Sequence, residues 1–143
     1  MAIAGKSYVV ELLEPHLMWG EYHPSRHGVP GEGRMEIYGE GYIKISAKEA
    51  YDFKIFNQNN MYGENAYYEC VSYDGYYRGT LLAQGNQADS NYAKQFSEYG
   101  NLKGIGDWYD YVSAVAGDYV KVKFTGINSM IIEHSKTKTE FHI

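Results

Sequence analysis

The chain has little cysteine and no long apolar run. Cys70 is its one cysteine, which excludes an internal disulfide framework and a zinc site built from several cysteines, so we expect a reducing compartment, the cytoplasm. No stretch approaches the roughly 18 apolar residues of a membrane-spanning helix, and the first residues lack the pattern of a secretory signal peptide. We therefore expect no membrane partner.

Positive charge is also scarce. The 13 lysines and arginines are outnumbered by 18 acidic residues, giving a net charge of -5. This balance argues against a general polyanion binder, because neutralising phosphates requires Lys and Arg, but it leaves room for a local basic patch. Aromatic residues are abundant instead, with 16 tyrosines, and Tyr favours strands and binding surfaces.

The length and composition indicate one globular domain covering residues 1–143. Hydrophobic residues at 44% and charged residues at 22% are close to the globular average, so disordered and coiled-coil classes are excluded. A chain of 143 residues can bury one core but has no room for two catalytic domains. We find no internal repeat and no linker that would divide it.

Short strands and tight turns dominate the hydrophobic pattern. The strongest signal is Asp74-Gly75 between two strand-like runs, which predicts a hairpin of residues 66–73 and 76–84 with a tight type I′ turn. The remaining predictions are strands over 8–13, 42–46 and 53–57, a helix capped by Ser46 and Glu49, a helix from 104 that stops at Gly117, and a hairpin of 118–126 and 129–135.

About seven short strands and two short helices follow from this pattern. Strands do not alternate regularly with helices, so a doubly wound parallel sheet is not expected. The predicted fold class is mainly β with short helices (α+β), as a mixed barrel or sandwich.

Two polar stretches stand apart from the strands. Residues 16–41 are unusually long for a plain connection and combine arginine, histidine and aromatic side chains, and residues 84–103 are crowded with amides. Arg reads guanine edges, Asn and Gln read adenine edges, and Lys, Tyr and backbone amides hold phosphates. The candidate DNA-binding residues are His23, Arg26, His27 and Arg34 in the first stretch, and Gln84, Asn86, Gln87, Asn91, Tyr92 and Lys94 in the second.

Enzyme motifs and metal sites receive little support. The chain lacks GxSxG, HExxH, a phosphate-binding P-loop and GxGxxG. His16, His23 and His27 with Glu21 could bind a metal, but Pro24 prevents an ordinary helix from presenting two of these histidines together. Solvated loop histidines are the favoured interpretation, and we expect no cofactor.

A nuclease centre would need clustered acids with a lysine to hold a divalent ion. The close acidic pairs are Glu69 with Asp74 and Asp107 with Asp110, and neither has the following lysine of such a site. Solvated faces and a favourable charge at a helix N-terminus explain these acids better. Cys70 lies within a predicted strand and is expected to be a small buried hydrophobe rather than a nucleophile.

The order of the elements resembles the DNA-binding pseudobarrel of the plant B-three transcription-factor type, which also forms the recognition (effector) domains of restriction endonucleases. The segments that carry the resemblance are YIKIS at 42–46 leading into a short helix, IGDW at 105–108 and GDYV at 117–120. The resemblance implies a seven-stranded open barrel with two short helices that straddles the major groove with two arms.

In this resemblance the N-arm is about residues 16–41 and the C-arm about residues 84–103. It implies sequence-specific binding of double-stranded DNA at a short site, without a metal and without a catalytic centre in this chain. The partners it implies are the DNA and a nuclease domain of the full-length protein, with the recognition domain itself monomeric.

Two alternatives remain open at this point. A small carbohydrate- or peptide-binding β-barrel would suit the tyrosine content and the acidic charge. A metal-dependent nuclease would require clustered acids that the spacing does not provide. The position of the arginines relative to the amide-rich loop discriminates the DNA-binding hypothesis from the first alternative.

Overall fold

A computed structural model describes residues 2–17, 41–101 and 103–143. These residues form one mixed sheet of seven strands in the order β1-β6-β7-β3-β4-β5-β2. The strands are β1 Ser7–Glu11, β2 Ile43–Lys44, β3 Tyr67–Ser72, β4 Arg78–Gln84, β5 Gln95–Glu98, β6 Tyr119–Gly126 and β7 Ser129–Ser135. All neighbouring pairs are antiparallel except β3 and β7, which run parallel.

Three short helices accompany the sheet within the described residues, one more than predicted. They are α1 Glu14–Leu17, α2 Ala47–Asp52 and α3 Gly104–Tyr111. Helix α1 is a single turn of four residues, too short for a periodic pattern to reveal it. In the part of the chain that the structure describes, no helix is long and apolar enough to cross a membrane.

The sheet curls until its two edge strands almost meet. The Tyr8 hydroxyl of β1 donates a hydrogen bond of 3.2 Å to the main-chain oxygen of Lys44 in β2. The result is a nearly closed barrel, which confirms the predicted mainly β fold. Seven strands are present, as predicted in number, but β5 was not among the predicted strands.

One core fills the inside of the barrel. Strand β6 shows the alternation that produces it, because Val120, Val122 and Phe124 are buried while Tyr119, Lys121 and Lys123 are half-buried on the outer face. Burying one side chain of this size contributes about 1.5–3 kcal/mol. The largest fully buried side chains are Trp108, Tyr68, Phe96, Phe124, Leu12, Ile43, Ile45, Ile55, Leu81, Ile105, Met130 and Ile132.

Both predicted hairpins are confirmed, but the predicted turn type is wrong. A type I′ turn requires positive φ at both central residues, and of Asp74 and Gly75 only the glycine has it, at 83°. The Ser72 amide donates to the Tyr77 carbonyl at 2.9 Å, which leaves a loop of residues 73–76. Asp74 favours this wider loop because its carboxylate accepts from the Tyr76 amide at 2.8 Å.

The predicted cap of α2 is confirmed, and the predicted strand over 53–57 is wrong. Ser46 is the N-cap, and its hydroxyl accepts from the Glu49 amide and contacts the Glu49 carboxylate. The chain after the helix turns back through Lys54, whose φ is 57°. This left-handed residue prevents an extended run, and Phe56 retains one isolated bridge to Tyr92.

Helix α3 begins where IGDW predicted but ends at Tyr111 instead of continuing to Gly117. Ser113 takes a left-handed conformation with φ 56°, and the Val115 amide is bound by the Asp118 carboxylate at 3.1 Å. These contacts turn the chain toward β6. Gly117 has φ 97° and donates its amide to the Leu12 carbonyl, so it serves the turn before β6 and not the helix.

The barrel has two distinct ends. At the α2 end, β4 runs into the loop that returns as β5, and β2 leads into α2. At the α3 end, β1 ends, β2 begins and the 73–76 turn lies against α3, where the Trp108 indole donates to Asp74 at 2.9 Å. The two predicted arms therefore belong to different ends of the barrel.

Candidate nucleic-acid interface

The first predicted arm lies mostly outside the described residues. His23, Arg26, His27 and Arg34 are all among residues 18–40, so their assignment to DNA contacts stays a prediction. The points where this arm leaves and rejoins the barrel are described. The Tyr42 amide donates to the main-chain oxygen of His16 at 3.1 Å, which brings the two ends of the arm together at the α3 end.

His16 is a buried structural residue, so its interpretation as a solvated loop histidine is wrong. It is 3% exposed, its ring packs edge-on against Tyr42, and its Nδ1 accepts from the Leu13 amide at 3.1 Å. Burial, with a smaller contribution from the Lys44 charge, lowers the pKa of His16 to about 4. The side chain is therefore neutral at pH 7 and packs where the first arm joins the barrel.

The second arm is shorter than predicted. Gln84 is the last residue of β4 and Gln95 the first of β5, so the loop proper covers residues 85–94 at the α2 end. Residues 99–101 and 103, which the prediction assigned to the same arm, follow β5 at the α3 end. We use the name C-loop for residues 85–94.

Asn57, which was not among the predicted site residues, organises the C-loop from the barrel side. The side chain is 1% exposed, and its Nδ2 lies 2.7 Å from the Ser90 carbonyl, 2.9 Å from the Gly85 carbonyl and 2.9 Å from Asn86 Oδ1. One buried amide thus ties both halves of the loop together. One indication was present in the sequence. Asn57 is an amide that directly follows the apolar residues 55 and 56, next to a stretch expected to be buried.

The predicted amide residues are largely occupied by contacts within the protein. Gln87 Nε2 donates to the carbonyls of Ile45 at 2.8 Å and Ala93 at 3.1 Å. Gln84 Oε1 accepts from the Ser97 hydroxyl at 2.8 Å. These amides hold the C-loop on the barrel and leave only part of their hydrogen-bonding capacity for a ligand.

Asn91 is used in the same way at the other side of the loop. Its Oδ1 accepts from the Met61 amide at 2.8 Å, and its Nδ2 donates to Asp89 at 3.2 Å. Asn86 gives its Oδ1 to Asn57, and among the described residues nothing accepts from its amide nitrogen. Asn86 is exposed and is the best placed of the predicted amides to contact a base.

Tyr92 and Lys94 lie where the C-loop joins β5. Ala93 between them is fully buried. Lys94 is exposed, whereas Tyr92 is half-buried and packs against the core. The Tyr92 ring stacks on Phe56 at a centroid distance of 5.1 Å. Within the described residues Lys94 has no ion-pair partner. These two residues can offer a stacking face and a cation to a ligand.

The two arms attach at opposite ends of the same edge strand. The first arm rejoins the barrel at Tyr42, and the C-loop is bound to β2 by the Ile45 amide, which donates to the Lys94 carbonyl at 2.9 Å. Three residues of extended chain separate these attachment points, about 10 Å at about 3.3 Å per residue. The attachment points of the two arms therefore lie at the two ends of β2.

Of the two acidic pairs considered for catalysis, Glu69 with Asp74 serves structural roles. The other pair, Asp107 with Asp110, is exposed on α3. Asp74 accepts from the Ser72 hydroxyl and from Trp108, and Glu69 accepts from Thr80 across the hairpin at 2.9 Å. Partial burial works to raise the pKa of Asp74, but its hydrogen bonds outweigh this effect and lower the pKa. Over the described ranges, no three His, Cys, Asp or Glu residues lie close enough to hold a metal ion.

The expectation for Cys70 is confirmed. The thiol is buried in β3, and burial raises its pKa well above the usual value, so it remains protonated and unreactive at neutral pH. It packs as a small apolar side chain in the core.

No protein-family model matches the chain, and the curated proteins include none with a matching sequence.

Proposed function

We propose that this chain recognises a short sequence in double-stranded DNA, as an open pseudobarrel of the plant B-three type. The observation that carries the proposal is the attachment of both polar arms at opposite ends of β2, at Tyr42 and Ile45. Their separation of about 10 Å is comparable to the width of about 12 Å of the major groove of B-DNA. Arms rooted at this spacing suit entry into one groove from two sides.

The C-loop contributes one phosphate contact and one base contact in this proposal. Lys94 is exposed beside the loop and contacts a phosphate, which positions the domain without reading sequence. Asn86 reads a base edge, with its side chain oriented by Asn57. Because the C-loop is fixed by internal hydrogen bonds, little ordering entropy is lost when it binds.

The N-arm supplies the guanine-reading residues in this proposal. Arg26 and Arg34 are the arginines of residues 18–40, and Arg forks onto guanine O6 and N7. The same segment also contains His23 and His27 as predicted contacts. DNA cleavage belongs to a separate nuclease domain, so the chain acts as a monomeric recognition domain of a restriction endonuclease and needs no metal to bind.

The test is a selection of this chain against a pool of randomised duplexes at a stated salt concentration. We expect one short motif to be enriched, and the affinity for that duplex to fall with salt at a slope of about -0.9 per phosphate contact. A scrambled duplex of equal length is the control for sequence specificity. Failure to enrich any motif, together with no binding of any duplex at low ionic strength, would refute the proposal.

A further inference from the structure

Glu133 is a buried carboxylate on the outer face of the barrel. Its neighbour Ile132 is fully buried in the core, so the alternation of side chains along β7 directs Glu133 outward. A side chain on an outer face is ordinarily open to solvent, yet the Glu133 side chain is only 7% exposed. Residues 141–143 contact this carboxylate and cover it. We call residues 141–143 the strap.

The strap binds Glu133 largely through its main chain. The amides of His142 and Ile143 both donate to Glu133 Oε1, at 2.7 Å and 3.1 Å. The imidazole of His142 places its Nδ1 2.5 Å from Oε2. All the hydrogen-bond partners that the described residues provide for this carboxylate therefore belong to the strap.

Two further side chains complete the contacts of the strap, one from each side of β7. Lys121 lies opposite Glu133 on β6, and its ammonium donates to the main-chain oxygen of Ile143 at 2.7 Å. Tyr73 stacks on the His142 ring, with centroids 4.8 Å apart and planes inclined at 3°. Together these three side chains contact two consecutive main-chain amides, one carbonyl and one flat ring.

Polar contacts hold the strap, and it buries little apolar surface. The His142 side chain is 68% exposed, and Phe141 and Ile143 are half-buried outside the hydrophobic core. When the strap leaves, water solvates both the Glu133 carboxylate and the released amides, so neither partner is left buried without a hydrogen bond. Opening of the strap therefore costs far less than global unfolding.

We propose that Glu133, Lys121 and Tyr73 form a docking site for a short peptide, and that the strap occupies this site as an internal ligand. The partner is a segment of another protein that presents the same groups: two consecutive free amides, with a flat side chain such as imidazole on the first residue. A carboxylate at the centre of the site accepts from main-chain amides and repels phosphates, so the site suits a peptide and not a nucleic acid.

The strap competes with any such partner because it is tethered beside the site by the exposed residues 136–140. A short flexible connection gives an effective concentration in the millimolar range. A free peptide of equal intrinsic affinity displaces the strap only at comparable concentrations. The strap thus excludes weak peptides and yields to one that is held nearby or that binds more tightly.

The experiment uses the full chain with His142→Pro and Ile143→Pro, which together remove both main-chain donors and the stacking ring of the strap. An amidated synthetic peptide of residues 139–143, TEFHI, is titrated into this released chain. Amide NMR spectra should show saturable shifts at the three residues of the docking site. The wild-type chain should need about tenfold more peptide, because its site is open for only a fraction of the time.

The variant Glu133→Gln tests whether the carboxylate is the centre of the site. Added to the released chain, it should weaken peptide binding about fivefold, as should a peptide with His142→Ala. Glu69→Gln is the matched control, because Glu69 is an exposed outer-face carboxylate on β3 that makes no contact with the strap. This control should bind the peptide like the released chain itself.

Saturable shifts that Glu133→Gln weakens and Glu69→Gln does not weaken support the inference. A folded released chain that shows no shifts, or shifts that Glu133→Gln leaves unchanged, overturns it. If the released chain does not fold, hydrogen exchange of the His142 and Ile143 amides in the wild-type chain decides: excess peptide should accelerate it, and unchanged exchange overturns the inference. The docking site lies on β6 and β7, away from β2 and the C-loop, so failure here leaves duplex recognition standing.

Discussion

The substitution Asn57→Ala should destabilise the protein by about 3 kcal/mol. The side chain is buried, its Nδ2 donates at 2.7 Å to Ser90 and 2.9 Å to Gly85, and its Oδ1 accepts from the Asn59 amide at 2.9 Å. A net value of about 1 kcal/mol for each of these three bonds gives the estimate. If the C-loop opens to let water replace the side chain, part of this loss is recovered.

The isosteric variant Asn57→Asp tests the same reasoning through pH. A carboxylate would face the oxygens of Gly85, Ser90 and Asn86, so burial and repulsion should raise its pKa in the folded protein above the unfolded value. The variant is then least destabilised at pH values below the unfolded pKa. Its deficit grows as pH rises through the folded pKa and stays constant above it.

Urea unfolding monitored by far-UV circular dichroism gives the stability of each variant. Amide hydrogen exchange adds a local measurement, because the Gln87 amide is bonded to the Tyr92 carbonyl at 3.0 Å and should lose protection when Asn57 is removed. Asn59→Ala is the control, since the Asn59 side chain is exposed and its hydrogen bond to Asn57 is made by the main chain, so stability should change by less than about 0.5 kcal/mol. A loss below about 1 kcal/mol for Asn57→Ala with full protection of Gln87 would show that Asn57 does not organise the loop.

Three further predictions concern other parts of the molecule. The pKa of His16 is about 4 in the folded protein and about 6.5 in the unfolded chain. The free energy of unfolding should therefore fall by up to about 3 kcal/mol as pH drops from the higher to the lower value. His16→Gln should reduce this dependence on pH, and the same dependence in both proteins would contradict the burial argument. Asp74→Ala leaves the fully buried Trp108 indole without its acceptor and should lower stability by about 1–3 kcal/mol in urea unfolding, whereas an unchanged midpoint would mean that water replaces the carboxylate. In duplex titrations, Arg34→Ala should weaken binding of the selected site by about 1–3 kcal/mol and Lys94→Ala should weaken all duplexes alike; equal losses on selected and scrambled DNA for Arg34→Ala would refute its assignment to a base.

Features set by neighbouring residues were predictable from the sequence. Ser46 and Glu49 form a helix start because the hydroxyl and the amide it binds are three residues apart. The Asp74-Gly75 hairpin and the alternation of β6 have the same local origin. Local chemistry also predicted that Cys70 is buried, since it lies in an apolar strand.

The errors occurred where a distant contact or a left-handed backbone residue overrode the hydrophobic pattern. Residues 104–117 look helical throughout, but Asp118 and Leu12 bind the chain after Tyr111 and turn it toward β6. Likewise, the apolar residues of 53–57 suggested a strand, yet the left-handed Lys54 closes the end of α2 there. Hydrophobic periodicity records which side chains become buried, not which long-range partner fixes the backbone.

The candidate site was likewise predictable from the sequence only in part. By itself, the sequence determined the mainly β class and the two polar stretches with residue types that suit a nucleic acid. Tertiary structure decided that Gln87 and Asn91 mainly hold the C-loop in place and that His16 is buried. It also decided which aromatic rings pack against one another at the α2 end, namely those of Tyr51, Tyr92, Phe56 and Tyr62. An amide or an aromatic ring has the same chemistry whether it faces a ligand or the protein's own backbone. Which of the two it faces depends on contacts between distant residues, such as Asn57 and Ser90, which are 33 residues apart.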